Sequence, residues 1–502
     1  MHGRILSVRS GPARSNLRER LTIVVERSCD GEWANVRVNG PSHWHVTQAG
    51  GLTCLLSSTP PWLVNAIGSH WSLDWSAIDA ALDDLSHCRD HSLMRGVAAI
   101  RQGKILEADD LTAPVTGWSA GELLAKPLMT AHEAAERLRT GVWTAVDVAL
   151  EGAERPLIEV SGGLDSAVIA CISAQRIDVE NAVWVHYHGP EAEAEERSYA
   201  RALADHLGAT LIERERLAPE AGAAVVNHPL ELRPSINRMD GAFDRREADF
   251  YQDAGVDRIL TGKGGDALFM QGACVEALLD KGLHHGLDAV SRREIDQYAA
   301  WTGRSARAVR SRLLRAGKEE TALWPGNPYR MVRTPVPRER PPGMGPGKWR
   351  QVQGIKSSLP LTDPCARSEA AAMSHPLLSP PALDAALAIP SYQMVTPGQD
   401  RALARAAFGM LLPDEVLRRR SKAELGGYFG QLVSGSLPEL REHLLDGRLA
   451  ARGLMNLERL EADLNSEALI WGVDYLHILF TALIESWVRA WEPALQAARP
   501  FE

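Results

Sequence analysis

Two hydrophobic rhythms divide the chain. Through about residue 120, short alternating runs such as RLTIVVER and ANVRVNG are separated by Gly, Ser, Pro and Asn, which predicts hairpins and an antiparallel sheet. In TAHEAAERLRTGVWTAVDVALEGAE the apolar residues then recur every three or four positions, the spacing of a helix. From Pro156 strands and helices alternate. Leu157–Val160 is a continuous apolar run, as a strand covered on both faces requires. Ser166–Arg176 reads as a helix, Ala182–Tyr187 as a second strand, and EERSYARALADHLG as a helix closed by Gly208. ATLIE is a third strand and Asp257–Gly262 a fourth. Such alternation predicts right-handed crossovers and a parallel sheet with its ligand site at the carboxyl edge.

Beyond Gly272 the pattern is mainly helical. Arg333–Trp349 interrupts it, and its Pro, Gly and basic content predicts a connector or a lid. Leu469–Trp491 is strongly apolar but carries Asp474, His477, Glu485 and Arg489, so it reads as a buried helix rather than a membrane span. The first fifteen residues are too polar for a secretory signal, and the expectation is a cytoplasmic protein. At 502 residues there is room for two or three domains. A net charge of −9 argues against broad nucleic-acid binding, which needs a basic surface. The cysteines, at 29, 54, 88, 171, 274 and 365, show no metal-ligand spacing and suit reduced thiols.

The chemistry concentrates in LIEVSGGLDSAVIAC, Leu157–Cys171. A strand that breaks at Ser161-Gly162-Gly163-Leu164-Asp165-Ser166 and restarts at once as a helix leaves backbone N–H groups around one small concavity. Glycine lets a phosphate approach the backbone, and the positive end of the helix dipole lies behind it. Asp165 would repel that phosphate unless a magnesium ion lay between them, since Mg²⁺ takes carboxylate and phosphate oxygens together. A second acid should stand nearby, and LTGKGGDALF on the fourth strand supplies Asp266. Either glycine turn alone is weak evidence; two of them, each bearing Asp after an apolar strand, are specific.

At these residues the sequence resembles the class B asparagine synthetases, which carry SGGxDS and a TGxGxDE-type loop. HPLLSPPALDAALAIP (His375–Pro390) and Gly398–Gly427 are similar to later blocks of that family, so the resemblance spans roughly residues 125–490. The wording of these blocks, with G-x-D-R-x-x-A-R and RRSK, looks most like lasso peptide cyclases, with β-lactam synthetases as the rival. The resemblance implies an α/β synthetase domain over residues 121–502, of the ATP pyrophosphatase, adenine-nucleotide α-hydrolase-like type. It implies a mainly β, reduced Ntn-glutaminase-like domain over residues 1–120. His2 stands where a working glutaminase has its nucleophilic Cys, so the amine is expected to arrive on the substrate itself.

The implied activity is ATP-dependent macrolactam formation. An Asp or Glu side chain of a core peptide is adenylated, the peptide's N-terminal amine attacks, and AMP and pyrophosphate leave. ATP and Mg²⁺ are the implied cofactors. Ser161, Gly162, Gly163, Leu164, Asp165, Ser166, Val185, Thr261 and Gly262 would bind the nucleotide; Asp165 and Asp266 would hold the metal; Lys422 would stabilise developing negative charge. For Arg401 and Arg405, phosphate contact and pairing with structural acids stay open. So do three readings of Lys263, which replaces the Glu or Tyr of related synthetases: a base, a carboxylate clamp, or an exposed turn lysine. The implied partners are the precursor peptide, a leader peptidase and a leader-binding protein, with no nucleic acid and no membrane. Trp301, Trp324 and Trp349 are candidates to line a peptide cavity or to pack in the core. A β-lactam-like closure of a small β-amino acid is the alternative.

Overall fold

The computed structural model describes residues 5–8, 23–27, 33–38, 44–49, 52–56, 59, 64–65, 68–100, 104–107, 110–116, 129–189, 196–217, 220, 222–225, 227–316, 326–331, 340–419, 426–471 and 474–498. The N-terminal part contains β1 (Ile5–Val8), β2 (Ile23–Arg27), β3 (Trp33–Val38), β4 (Trp44–Ala49) and β5 (Leu52–Leu56). It continues with β6 (Ser72–Leu73), α1 (Trp75–Asp83), β7 (Met94–Arg95), β8 (Val97–Ile100), β9 (Lys104–Glu107) and β10 (Asp110–Thr116). Two four-stranded sheets result, ordered β1-β5-β4-β8 and β10-β9-β3-β2. All their pairings are antiparallel except β1 with β5. The predicted hairpins are therefore present.

After α2 (Ala131–Leu150) comes the α/β unit: β11 (Pro156–Glu159), α3 (Leu164–Ala174), β12 (Val183–His188), α4 (Arg197–Leu207), β13 (Leu211–Glu215), α5 (Gly241–Asp253) and β14 (Arg258–Leu260). The four expected strands are there within two residues. A fifth, β15 (Ala372–Ser374), escapes prediction because it is only three residues long. The order is β13-β12-β11-β14-β15 and every pairing is parallel. Gly208 ends α4 as foreseen: its φ of 66° turns the chain so that the next N–H, that of Ala209, reaches back to the Ala204 carbonyl at 2.9 Å.

Both faces of the sheet are covered. Leu157, Val183, Val185 and Ile259 pack with Tyr251 on one side. Ile158, Trp184 and Leu260 join the larger cluster built on α2 and α3 on the other. That is why the strands read as unbroken apolar runs. Helix α3 begins at Leu164, two residues earlier than predicted, so Asp165 sits in its first turn.

The remaining described chain is mainly helical and includes α6 (Gly265–Leu268), α7 (Val275–His285), α8 (Arg292–Trp301), α9 (Ala306–Arg315), α10 (Pro346–Ser358), α11 (Pro380–Leu387), α12 (Ala402–Phe408), α13 (Asp414–Arg418) and α14 (Tyr475–Ala497), with further helices between α13 and α14. Helix α14 is largely buried, as its pattern requires, and among the described residues no helix is long and apolar enough to cross a membrane. It shares a core with Leu56, Trp71, Ile78 and Leu82 of the N-terminal part. Trp71 meets Trp491 edge-on at 6.1 Å between ring centres.

One expectation is corrected. The loop predicted over Arg333–Trp349 ends in helix: α10 starts at Pro346 and buries Lys348 and Trp349. Residues 332–339, like Trp324, lie outside the described residues. The helix start is fixed from a distance, because the Asp280 carboxylate of α7 accepts the N–H groups of Gly347 and Lys348 at 2.8 and 2.7 Å. Lys348 then donates its ammonium to Gln351 Oε1 and to the carbonyls of Ala386, in the last turn of α11, and Ile389, just past it. A buried cation with three acceptors ties α10 to α11. Lys348→Met leaves those buried acceptors without their donor, and the expected loss is about 3 kcal/mol. Urea unfolding should show a lower midpoint at unchanged slope; a wild-type midpoint would mean the ammonium holds nothing.

Candidate active site

The chain order creates the site. From β11 the strands step outward through β12 to β13, and the chain then returns to lay β14 against the other side of β11. Strand order thus reverses between β11 and β14, and their carboxyl ends flank a crevice of the kind in which α/β sheets bind ligands.

The loop after β11 is held in shape by its own hydroxyls. Gly162 has a φ of 74°, a conformation that disfavours any side chain. Ser161 Oγ and Ser166 Oγ lie 2.8 Å apart, Ser161 N–H donates to Ser166 Oγ at 3.1 Å, and Gly163 N–H reaches Ser161 Oγ at 3.4 Å. The first N–H groups of a helix have no acceptor within it, and here Gly163, Leu164 and Asp165, which carry them, line the cavity.

The loop after β14 is pressed against the first. A Cβ on Gly262 would lie 2.6 Å from the Ser166 nitrogen and 2.7 Å from its Cα. A Cβ on Gly265 would overlap the Asp165 side chain. These glycines are required by close approach of the two motifs.

Charge converges on the same point. Arg401 Nη1 lies 3.6 Å from Asp165 Oδ2 and 3.6 Å from Asp266 Oδ1, so the two carboxylates face one guanidinium. Asp165 is recessed, with 13% of its side chain exposed, while Asp266, at 43%, stands at the rim. Arg401 stands just before the first turn of α12 and caps it with a φ of 50°. A non-glycine residue held there stores strain, a feature that clusters at functional sites. Asp400 anchors it, accepting Gly272 N–H at 2.8 Å and pairing with Arg401 Nε at 3.6 Å. Arg405 donates to the Leu417 and Arg419 carbonyls. Arg419 donates to the Gly162 carbonyl at 3.0 Å, pairs with Glu196, and stacks 4.2 Å over the Tyr199 ring. It therefore clamps the first loop from above.

These groups enclose a cavity of about 380 Å³, within the range of small-molecule sites. Its lining carries four carboxylates and four cations, so it can accept a polyanion and a metal ion together. Among the described residues no cluster of three or more His, Cys, Asp and Glu side chains is arranged to hold a metal by itself. Two hard oxygen ligands at the mouth of an anion cradle do suit Mg²⁺, which is commonly held by one or two carboxylates plus substrate phosphates.

The expected residues are distributed as follows. Ser161, Gly163, Leu164, Asp165, Ser166, Gly262, Lys263, Asp266 and Arg401 line the cavity. Gly162 forms the turn beneath Arg419. Val185 is fully buried in the sheet, where its carbonyl accepts Val160 N–H at 2.8 Å. Thr261 is also buried; its hydroxyl lies 2.7 Å from His375 Nδ1 and accepts Lys263 N–H at 3.3 Å. Both support the cavity from below rather than line it. Lys422 lies outside the described residues, and neither Trp301 nor Trp349 is on the lining. Glu159, Glu196 and Arg419 line it without having been singled out; only the basic run RRRSK around Arg419 offered a signal.

Lys263 is not an exposed turn lysine. It is half-buried on the cavity wall. Burial pushes its ammonium below the usual lysine range, and Arg367 pushes the same way against the opposing pull of Glu159. Burial, with Lys263 and Arg367 nearby, likewise holds His375 neutral.

The contact between loops is testable. Gly262→Ala places a methyl group against a backbone that cannot rotate away, and the expected cost is about 1–3 kcal/mol. A urea midpoint equal to that of the unaltered protein would show that the loops are free to separate.

Comparison with known proteins agrees with this geometry. The family model described as asparagine synthase matches residues 137–489, the stretch that supplies the parallel sheet and every described residue of the cavity. No curated protein matches the chain. With more than half its length matched, the chain belongs to the asparagine synthase family of amide-forming enzymes.

Proposed function

We propose that the protein activates a substrate carboxylate with Mg-ATP and closes an internal amide, releasing AMP and pyrophosphate. The observation that carries this reading is one guanidinium, Arg401, 3.6 Å from the carboxylates of two adjacent strand ends, beside a helix N-terminus and a depressed lysine. The first-turn N–H groups of α3 would take the pyrophosphate portion of ATP. Asp165 and Asp266 would hold Mg²⁺, which supplies charge against that developing on the departing phosphates. Arg401 keeps both acids aimed at one point and offers a cation beside them. Lys263 serves as the proton acceptor for the attacking amine. Its lowered affinity for protons suits that task better than an ordinary amine of pKa about 10.4 would. Lys422 adds positive charge at the acyl centre, as the resemblance implies.

The finer assignment is lasso-type ring closure: the Asp or Glu side chain of a core peptide joined to that peptide's N-terminus. The blocks HPLLS, G-x-D-R-x-x-A-R and RRSK support it. A leader peptidase and a leader-binding protein would deliver the substrate, and residues 1–120 would form the reduced glutaminase-like domain.

Incubating the protein with peptidase, precursor and Mg-ATP should form AMP and remove one water from the core peptide. ADP as product would overturn the adenylation, and AMP release on a small β-amino acid alone would move the substrate to the β-lactam class. Asp165→Asn and Asp266→Asn should each lower kcat by about 10² or more. For Lys263 the sign is fixed: a base works when unprotonated, so kcat should rise with pH through an apparent pKa below the ordinary lysine value. Lys263→Arg stays charged and should lose about 10²–10⁴ in rate. An active arginine variant would make residue 263 a carboxylate clamp.

A further inference from the structure

Helices α8 and α9 stand apart from the cavity, packing with Val275, Leu278 and Leu279 of α7 into a core of their own. Residues 291–316 contain seven arginines and two acids, in a chain whose net charge is −9. Two cations in this neighbourhood are satisfied: Arg312 pairs with Glu276 at 2.7 Å and Lys281 takes Glu294. Arg292, Arg293, Arg304, Arg307 and Arg310 are exposed, and none pairs with a carboxylate among the described residues.

A solvated helix face ordinarily alternates its charges. Here Arg304 stands just before the Ser305 cap of α9, and within the helix Arg307 and Arg310 are three apart, where like charges oppose the helix by a few tenths of a kcal/mol, about as much as opposite charges would help. The fold gains nothing from them. At 3.6 residues per turn Arg307, Arg310 and Leu314 share one stripe of α9. Leu314 is 69% exposed on it, while Val309 and Leu313 on the opposite side are buried. Two more exposed leucines, Leu283 and Leu287, belong to the elements that α9 packs against: a Cβ on Gly282 would meet Leu313 at 3.2 Å and Leu287 at 3.5 Å.

Arginine is enriched at protein-binding surfaces, which set an apolar centre inside a polar rim, and here exposed leucines lie beside arginines unpaired among the described residues. A surface for single-stranded nucleic acid would interleave aromatic rings for stacking, and this stripe has none. We propose that the exposed face of the α8–α9 hairpin docks an acidic polypeptide segment, one carrying Asp or Glu around apolar residues. The surface is independent of the chemistry assigned to the cavity.

Fluorescence anisotropy of the full-length protein with a labelled amphipathic peptide of glutamate and leucine tests this. Binding should weaken as salt rises, and the R307E/R310E double variant should weaken it about tenfold or more. L314S should cost a smaller factor. Both positions are solvent-facing, so thermal midpoints should hold; if charge reversal lowers them, R307Q/R310Q gives the same comparison at reduced size. Binding that ignores these substitutions, or no binding at low salt, overturns the proposal. So does preference for a single-stranded oligonucleotide or phosphatidylserine vesicles over the peptide.

Discussion

The site depends on a contact between two backbones. Ser166 and Gly262 approach so closely that no side chain fits between them, and Gly265 leaves room for Asp165 in the same way. This closeness follows from β11 and β14 being neighbours in a parallel sheet, since both chains leave the sheet at the same edge. Parallel pairing alone would bring the loops near each other. The glycines bring them into contact, so a carboxylate from each loop reaches one guanidinium. Had β14 followed β13 on the far side of the sheet, the same two motifs would open at separate places.

Electrostatics then decides what the crevice tolerates. A buried carboxylate or arginine without compensation costs several kcal/mol, and the cavity answers with equal numbers of each sign. The arginines are spent differently. Arg405 and Arg419 direct nitrogens at backbone carbonyls, so they act as struts between α12, the segment after α13 and the first loop. Arg401 faces carboxylates and is held by a left-handed backbone and Asp400. Lys263, on the wall, is the cation whose charge burial opposes most directly. A lysine whose charge is so opposed can give up its proton, whereas a guanidinium cannot.

Much of this was legible in the chain, for reasons that are local. The strand-turn-helix of the first motif needs only residues 157–174, and its apolar run and paired glycines carry the whole signal. Gly208 as a helix stop is equally local. Asp266 could be joined to Asp165 because alternating strands and helices imply a parallel sheet. What failed was set across long separations. The start of α10 depends on Asp280, which lies far earlier in sequence, and a segment rich in Pro and Gly gives no sign that a distant carboxylate will cap it. The resemblance implies a nucleotide contact at Thr261, yet its hydroxyl is taken by His375 from another part of the chain. Arg419 was hidden in a run of three arginines whose individual directions no periodicity reveals.

The N-terminal part is tied to the site by a similar long-range arrangement. Ser358 and Leu361 form part of the cavity wall, and the turn that carries them is gripped by Arg89. That guanidinium is buried; it donates to the Leu359 carbonyl, reaches Thr362 Oγ1 at 3.1 Å, and pairs with Asp363 at 3.1 Å. Arg233 shares the same carboxylate from the α/β side. Two arginines on one buried acid make a junction that neither side can release without stranding charge, and such losses cost more than the pairing gains. With α14 packed on the core around Trp71 and Ile78 as well, the described N-terminal residues support the part of the cavity wall that Ser358 and Leu361 form. A segment preceding the matched stretch thus contributes to the cavity by fixing the position of a turn in its wall.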